Sequence, residues 1–271
     1  MKTLVWPDVH HRHALLRQFL AKNGGDFSRR IFLGDWFDQW QDRPDHAKAT
    51  AQLIVELMQD PSNIFIEGNH DSSYRYRNDT MWCPGFEWDK SRFINTVMDF
   101  PHWEKFKLFH VEQGVICSHA GVHPAVFTHP ILGLTIEGIT KDCEKAVECA
   151  RSNIKHPVYA MGMACGGKAP FGGITWVRWG EIVPIEGMNQ IVGHTLVNEP
   201  EIIYGRKKVS AYNGVVTEKM ESVTTTLTNY LRMPPKKENL CSINWNIDTN
   251  NRYFAVIENG EISIHKTEDY L

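Results

Sequence analysis

An α/β fold is what this sequence predicts, and three observations carry the prediction. Short apolar runs alternate with amphipathic stretches at intervals of roughly 30 residues, the size of βαβ units with parallel strands and right-handed crossovers. Successive runs each end in residues able to hold a metal ion. The C-terminal half then changes to runs joined by tight turns, the pattern of antiparallel hairpins. At 271 residues, with 42% hydrophobic and 23% charged, the chain has enough apolar material for a sizeable core and reads as an ordinary globular protein.

Lys2 to Trp6 is a β-prone run ending in Pro7-Asp8. His13 to Lys22 carries Ala14, Leu15, Phe19 and Leu20 at helical spacing, and Gly24-Gly25 stops that helix. Ile31-Phe32-Leu33 is the second strand, ending in Gly34-Asp35, and Ala47 to Met58 is the second helix, stopped before Pro61. Ile64-Phe65-Ile66 is the third strand and runs into Glu67-Gly68-Asn69-His70-Asp71. From Ser72 to Phe100 the chain is rich in aromatic and turn residues, including Trp82-Cys83-Pro84-Gly85-Phe86, which predicts a cap-like excursion over the sheet edge with a helix from Asp89 to Met98. Phe106 to Val111 and Val115 to Ser118 flank Gln113-Gly114 as a hairpin, and Gln190-Ile191-Val192 is a further buried strand. Arg252 to Ile257 and Glu261 to His265 form a second hairpin around Asn259-Gly260. The polar stretch from Lys207 to Glu238 is expected to be an insertion, and nothing reads as an interdomain linker, so residues 1–271 are expected to form a single domain.

The net charge of −3, with a pI near 6.5, provides no global drive toward nucleic acid or an anionic membrane. No run of about 18 apolar residues occurs, and the N-terminus turns polar too soon for a signal peptide, so a cytoplasmic address is expected. Cysteines 83, 117, 143, 149, 165 and 241 contain no CxxC pair and are read as free thiols. Thirteen histidines and nine tryptophans are the compositional oddity.

The histidines gain weight from where they fall. Asp8 and His10, then Asp35 and Asp38, then Asn69, His70 and Asp71 follow successive apolar runs; His119-Ala120-Gly121 and Gly193-His194-Thr195 follow two more. In a parallel sheet such positions are strand carboxyl ends opening on one edge, where α/β folds place ligands. Oxygen and nitrogen donors without thiolate suit Mn, Fe, Zn or Mg, and the count is enough for two ions sharing one carboxylate.

These residues also carry a resemblance. Asp8-Val9-His10, Gly34-Asp35-Trp36-Phe37-Asp38, Gly68-Asn69-His70-Asp71, His119-Ala120-Gly121 and Gly193-His194-Thr195 resemble, in order, the five blocks of the calcineurin-like metallophosphoesterases. With Trp176-Val177-Arg178 between the last two blocks and Ile247-Asp248-Thr249 after them, the chain is most similar to one branch. That branch contains serine/threonine phosphoprotein phosphatases, phage protein phosphatases and diadenosine tetraphosphatases. The resemblance implies a four-layer αββα sandwich of two mixed β-sheets flanked by helices, with a dinuclear metal site at the strand carboxyl ends. It further implies that Asp8 and His10 hold one metal, that Asp35 bridges both, and that Asn69, His119 and His194 hold the second. His70 would be the general acid or transition-state stabiliser beside the leaving oxygen, oriented and charged by Asp38. The cofactors implied are two divalent ions, manganese first, with Fe, Zn, Mg or Ni as the other candidates.

Elementary chemistry agrees with those roles. Two dications about 3.5–4 Å apart acidify a bridging water and attract a phosphate. Attack on phosphorus by that hydroxide then needs charge on the equatorial oxygens and a proton on the leaving oxygen, jobs that fit Arg178 and His70. The related phosphatases follow the GDxxD block with Arg-Gly, where this chain has Gln39-Trp40. Arg43, Arg75 or Arg77 are therefore candidates to replace the missing phosphate-binding arginine. The expected activity is hydrolysis of phosphate monoesters, including phosphoserine or phosphothreonine protein. Cleavage of dinucleoside polyphosphates or phosphodiesters is the enzymatic alternative, and a metal-stabilised binding protein the non-enzymatic one. The expected partner is a phosphorylated protein or small molecule, without membrane or nucleic acid.

Overall fold

A computed structural model describes residues 1–76, 79–212, 215–232, 234–235 and 240–271. The chain begins as the periodicity predicts, with β1 (Lys2–Trp6), α1 (His13–Asn23), β2 (Arg29–Phe32), α2 (Pro44–Leu57) and β3 (Asn63–Ile66). Pro44 opens α2 at a position whose backbone N–H would have no partner within the helix. Then come α3 (Asn69–Tyr76), α4 (Trp88–Asn95), α5 (Phe100–Trp103), β4 (Phe106–Lys107), β5 (Phe109–Glu112) and β6 (Val115–Ser118). The remainder is α6 (Ile136–Arg151), β7 (Asn189–Val192), β8 (Glu201–Tyr212), β9 (Val215–Thr226), α7 (Leu227–Arg232), β10 (Leu240–Asn246), β11 (Tyr253–Glu258) and β12 (Glu261–Lys266).

Among the described residues the strands form two six-stranded mixed sheets, ordered β12-β11-β1-β2-β3-β4 and β5-β6-β7-β10-β8-β9. In the first, β1, β2, β3 and β4 are parallel neighbours. In the second, β6, β7 and β10 are parallel, with antiparallel strands on both sides.

Strand alternation builds the layers, because successive side chains point to opposite faces. Leu4, Trp6, Phe32, Phe65 and Phe254 meet Leu16 and Phe19 of α1 and Leu53 and Ile54 of α2. Val5, Ile31, Leu33 and Ile66 face the other way, onto Cys117, Ile191 and Trp245 of the second sheet. The outer face of that sheet, with Ile116, is covered by Ile139, Cys143, Ala146 and Ala150 of α6. Fully burying Phe32 or Phe254 contributes roughly 1.5–3 kcal/mol each. The order helix, sheet, sheet, helix is the expected αββα sandwich.

Three elements differ from expectation. The single strand expected over Phe106–Val111 is two strands in two sheets: β4 pairs with β3 and β5 with β6, so the chain crosses between layers at Leu108. The helix expected from Asp89 to Met98 is the shorter α4, which packs on α2. Unexpected altogether is α6, capped by the Thr135 hydroxyl accepting from the Gly138 N–H at 3.1 Å. The stretch near 207–238 contains the outer half of β8, then β9 and α7, and its Pro234-Pro235 pair; residues 213–214, 233 and 236–238 lie outside the described residues.

Candidate metal centre

Five strand ends deliver the candidate residues to one edge. Asp8 and His10 follow β1, Asp35 follows β2, Asn69 and His70 open α3 after β3, His119 follows β6 and His194 follows β7. Four residues there, His10, Asp35, Asp38 and His194, have φ between 42° and 65°, which non-glycine residues rarely adopt. Such strain persists where surrounding structure over-determines it, typically at functional sites. Gly68 shows the same crowding: a Cβ there would stand 2.1 Å from Asp35 Oδ1.

The side chains form two groups that share Asp35. Asp8, His10 and Asp35 offer donor atoms within 4.8 Å of one another, as do Asp35, His119 and His194. His10 Nδ1 donates to the Asp38 carbonyl at 2.7 Å, which leaves Nε2 bare toward Asp8 Oδ2 at 3.9 Å and Asp35 Oδ2 at 3.8 Å. His119 Nδ1 likewise donates to the Leu33 carbonyl at 2.9 Å. Its Nε2 then faces three electron-pair donors: Asn69 Oδ1 at 2.9 Å, His194 Nδ1 at 3.2 Å and Asp35 Oδ2 at 3.4 Å. Four acceptors converging in a buried space are relieved only by a proton or a cation, so the residues fit divalent metals with oxygen and nitrogen ligands.

Proton affinities describe the cation-free form of this pocket. Burial pushes Asp8 well up, and the carboxylates of Asp248 and Asp35 push the same way. Burial also opposes ionised Asp35, but His119, His70 and His10 around it hold it well below the carboxylate range. Burial would lower His119, yet Asp35 and Asp8 push it up to about 10. His194 is lowered well below the usual range by burial and by His119. Protonation of His119 is thus favoured in the cation-free pocket, and a metal bound there would displace that proton.

Beside the centre, His70 Nδ1 lies 2.9 Å from Asp38 Oδ2, with its backbone N–H donated to Asp35 Oδ1 at 2.9 Å. Its imidazole meets that of His10 edge-on at 5.4 Å. Burial opposes the charged imidazole, but Asp35, the Cys83 thiol and Asp38 together raise its proton affinity well above the ordinary value. Asp71, counted among the potential ligands, turns instead to the backbone: it accepts from the Trp36 and Gly68 N–H groups at 2.9 Å each and ties two motif loops together. Sequence reasoning missed Tyr74, Cys83 and Lys90 around the Asp38–His70 pair, and gave Asp248 no role in the pocket. Only Asp248, already within a quoted motif, had a signal to follow.

The arginines separate clearly. Arg178 is exposed, and its charge reaches His194 and Cys165, whose thiol is 3.9 Å from His194 Nε2. Arg43 pairs with Asp45 at 2.9 Å on the surface. Arg75 is committed elsewhere: its buried guanidinium pairs with Glu67, whose carboxylate also accepts from Ser72 at 2.7 Å and Tyr159 at 3.2 Å. Arg77 lies outside the described residues. Arg75 therefore holds structure together and does not turn to the metals. Arg75→Met should lower unfolding free energy by about 3–5 kcal/mol, read by denaturant titration, because it leaves a buried carboxylate unpaired.

Of the tryptophans, Trp36 and Trp179 are buried under the loops, whereas Trp40 is 88% exposed. The glycine-rich segment Gly162–Ala169, spaced much like a GxxxxGK phosphate loop, folds on itself, with Met163 N–H donated to the Ala169 carbonyl at 2.8 Å and Gly167 N–H to the Gly162 carbonyl at 2.9 Å, so those amides are not free for phosphate. No helix among the described residues is long and apolar enough to cross a membrane.

Comparison with known proteins bears on the same residues. No curated protein matches the chain. Among solved structures it is similar to a protein assigned as a diadenosine tetraphosphatase, at 13% identity and TM-score 0.37, covering 98% of this chain and 93% of that one. A Saccharomyces cerevisiae protein serine/threonine phosphatase with similarity to human phosphatase PP5 aligns at 10% identity and TM-score 0.46, covering 98% and 80%. The protein TT1561 of Thermus thermophilus aligns at 9% identity and TM-score 0.38, covering 98% of both chains. The calcineurin-like phosphoesterase profile matches residues 1–149, which carry the first four motif blocks and the strands that present them. With more than half its length matched, the chain belongs to the calcineurin-like phosphoesterases, a family of dinuclear metal-dependent hydrolases.

Proposed function

We propose that this enzyme hydrolyses phosphate monoesters, with phosphoserine and phosphothreonine among its substrates. The observation that carries the reading is His70: an imidazole backed by Asp38 at 2.9 Å, which helps raise its proton affinity, stands beside a donor set built for cations. Asp8, His10 and Asp35 would hold one divalent ion, and Asp35, Asn69, His119 and His194 the other. When bound, the ions supply an acidified water and positive charge for the phosphate.

The chain's own residues do the rest. Arg178 grips the equatorial oxygens of the phosphoryl group through its planar fork. As water oxygen bonds to phosphorus and the ester P–O bond breaks, the departing electron pair stays on the leaving oxygen. His70 Nε2 delivers its proton there, and Asp38 keeps the Nδ1–H oriented and stabilises the imidazolium. With Arg43 paired to Asp45 and Arg75 buried against Glu67, Arg178, whose side chain hydrogen-bonds Cys165 beside His194, is the candidate that adjoins the metal-binding residues. Arg178→Ala should therefore cost about 10²-fold or more in kcat/KM on a monoester. A nearly silent substitution would reject Arg178 as the clamp.

Manganese loading, a cytoplasmic setting and one domain over residues 1–271 complete the proposal; the six free cysteines accord with a reducing compartment. A second reading, cleavage of a dinucleoside polyphosphate, is favoured by a cleft of about 680 Å³ lined by Met81, Val126, Tyr159, Met161, Phe171 and Lys168. Its lining includes Met81, two residues before Cys83, and Gly167, two residues after Cys165, and none of the motif residues. Assaying manganese-reconstituted protein on monoesters, diesters and dinucleotides decides between them, and faster turnover of the dinucleotide would overturn the monoester reading.

A further inference from the structure

Lys90, on α4 of the aromatic excursion, is a lysine only 1% exposed. A buried ammonium persists where its charge is matched and its protons are accepted. Three acceptors surround Lys90 Nζ: Asp42 Oδ1 at 2.7 Å, the Gly85 carbonyl at 2.8 Å and Asp38 Oδ1 at 3.0 Å. Asp38 Oδ1 also accepts from the Tyr74 hydroxyl at 2.6 Å. That oxygen is thus engaged by two donors, and Oδ2 alone is left for His70 Nδ1. Gly85 makes the approach possible: it has φ +102°, and a Cβ there would press on Asp38 Cβ and Cγ at 3.0 Å.

We propose that Lys90 is a positioning residue for protonation of the leaving group. By clamping Asp38 through Oδ1, it fixes the carboxylate so that Oδ2 meets His70, which keeps Nδ1–H on Asp38 and turns Nε2 toward the leaving oxygen. The inference rests on the reading of His70 as general acid. It adds that the excursion belongs to the catalytic apparatus, since α4 supplies the cation and the Pro84-Gly85 turn the carbonyl that steadies it. A competing role is neutralisation of Asp42, whose Oδ2 lies 2.9 Å from His11 Nε2. The two roles separate by experiment.

Two substrates distinguish them: an alkyl phosphate, whose leaving oxygen needs a proton, and dinitrophenyl phosphate, whose leaving group departs without one. In manganese-reconstituted protein, Lys90→Met should lower kcat on the alkyl ester by about tenfold or more and on the aryl ester by less than about threefold, with KM and metal content unchanged. The double variant Lys90→Met/Asp42→Asn removes both charges, should show the same leaving-group dependence, and is the one measured if the single variant does not fold. Equal losses on both esters, no loss, or recovery in the double variant would overturn the proposal. His70→Ala on the same pair is the reference. If its loss ignores the leaving group, the general-acid reading fails; if it discriminates and the Lys90 variants do not, only the role of Lys90 fails.

Discussion

Asp35→Asn should remove both metal ions and most of the activity, the largest effect expected of any single substitution here. Asp35 is the residue common to both donor groups, with Oδ2 3.8 Å from His10 Nε2 and 3.4 Å from His119 Nε2. Asparagine keeps the shape and can still accept the His70 N–H, but it withdraws the negative charge that two dications would share. Losing several kcal/mol of charge stabilisation corresponds to a fall in kcat of roughly 10³-fold or more. Elemental analysis of the manganese-reconstituted parent should approach two ions per chain, and the variant should fall below one. Full activity in the parent with a single ion would sink the dinuclear arrangement proposed for these residues.

His70→Ala separates proton delivery from metal binding. The His70 ring pairs with Asp38, and the residue's hydrogen bond to Asp35 comes from its backbone N–H, which alanine retains. Its loss should lower kcat by about 10²–10⁴-fold, the span of a general acid, while metal content stays at the parent value. Asp38→Asn should do part of the same damage, because the imidazole loses the carboxylate that orients it. If His70→Ala instead strips an ion, the histidine is a ligand and the proposed chemistry is wrong.

The N-terminal half was legible because its signals are local. Runs such as Lys2–Trp6 and Ile31–Leu33 are short and apolar, their helices carry large residues at helical spacing, and their ends hold motif residues. The helix Ile136–Arg151 escaped notice although Ile139, Cys143, Ala146 and Ala150 recur at helical spacing along its inward face, a signal that was present in the sequence. The β8–β9 hairpin looked like a polar insertion because its outer half, as an edge, carries polar residues that a central strand would not.

Which atoms bind what is set at the level of residue type and order: Asp8, His10, Asp35, Asn69, His119 and His194 follow strands in a sequence that already implies a shared centre. Which arginine is free, and what holds Asp38 in place, are facts of packing. Arg75 and Arg178 are chemically identical in the sequence, and only burial against Glu67 commits the first to structure. Lys90 stands 52 residues from Asp38, and no local pattern relates them. The turn at Gly85, the docking of α4 on α2 and the exclusion of water around the ammonium bring that pair together, because a buried charge is stable only beside partners that the folded chain alone can assemble.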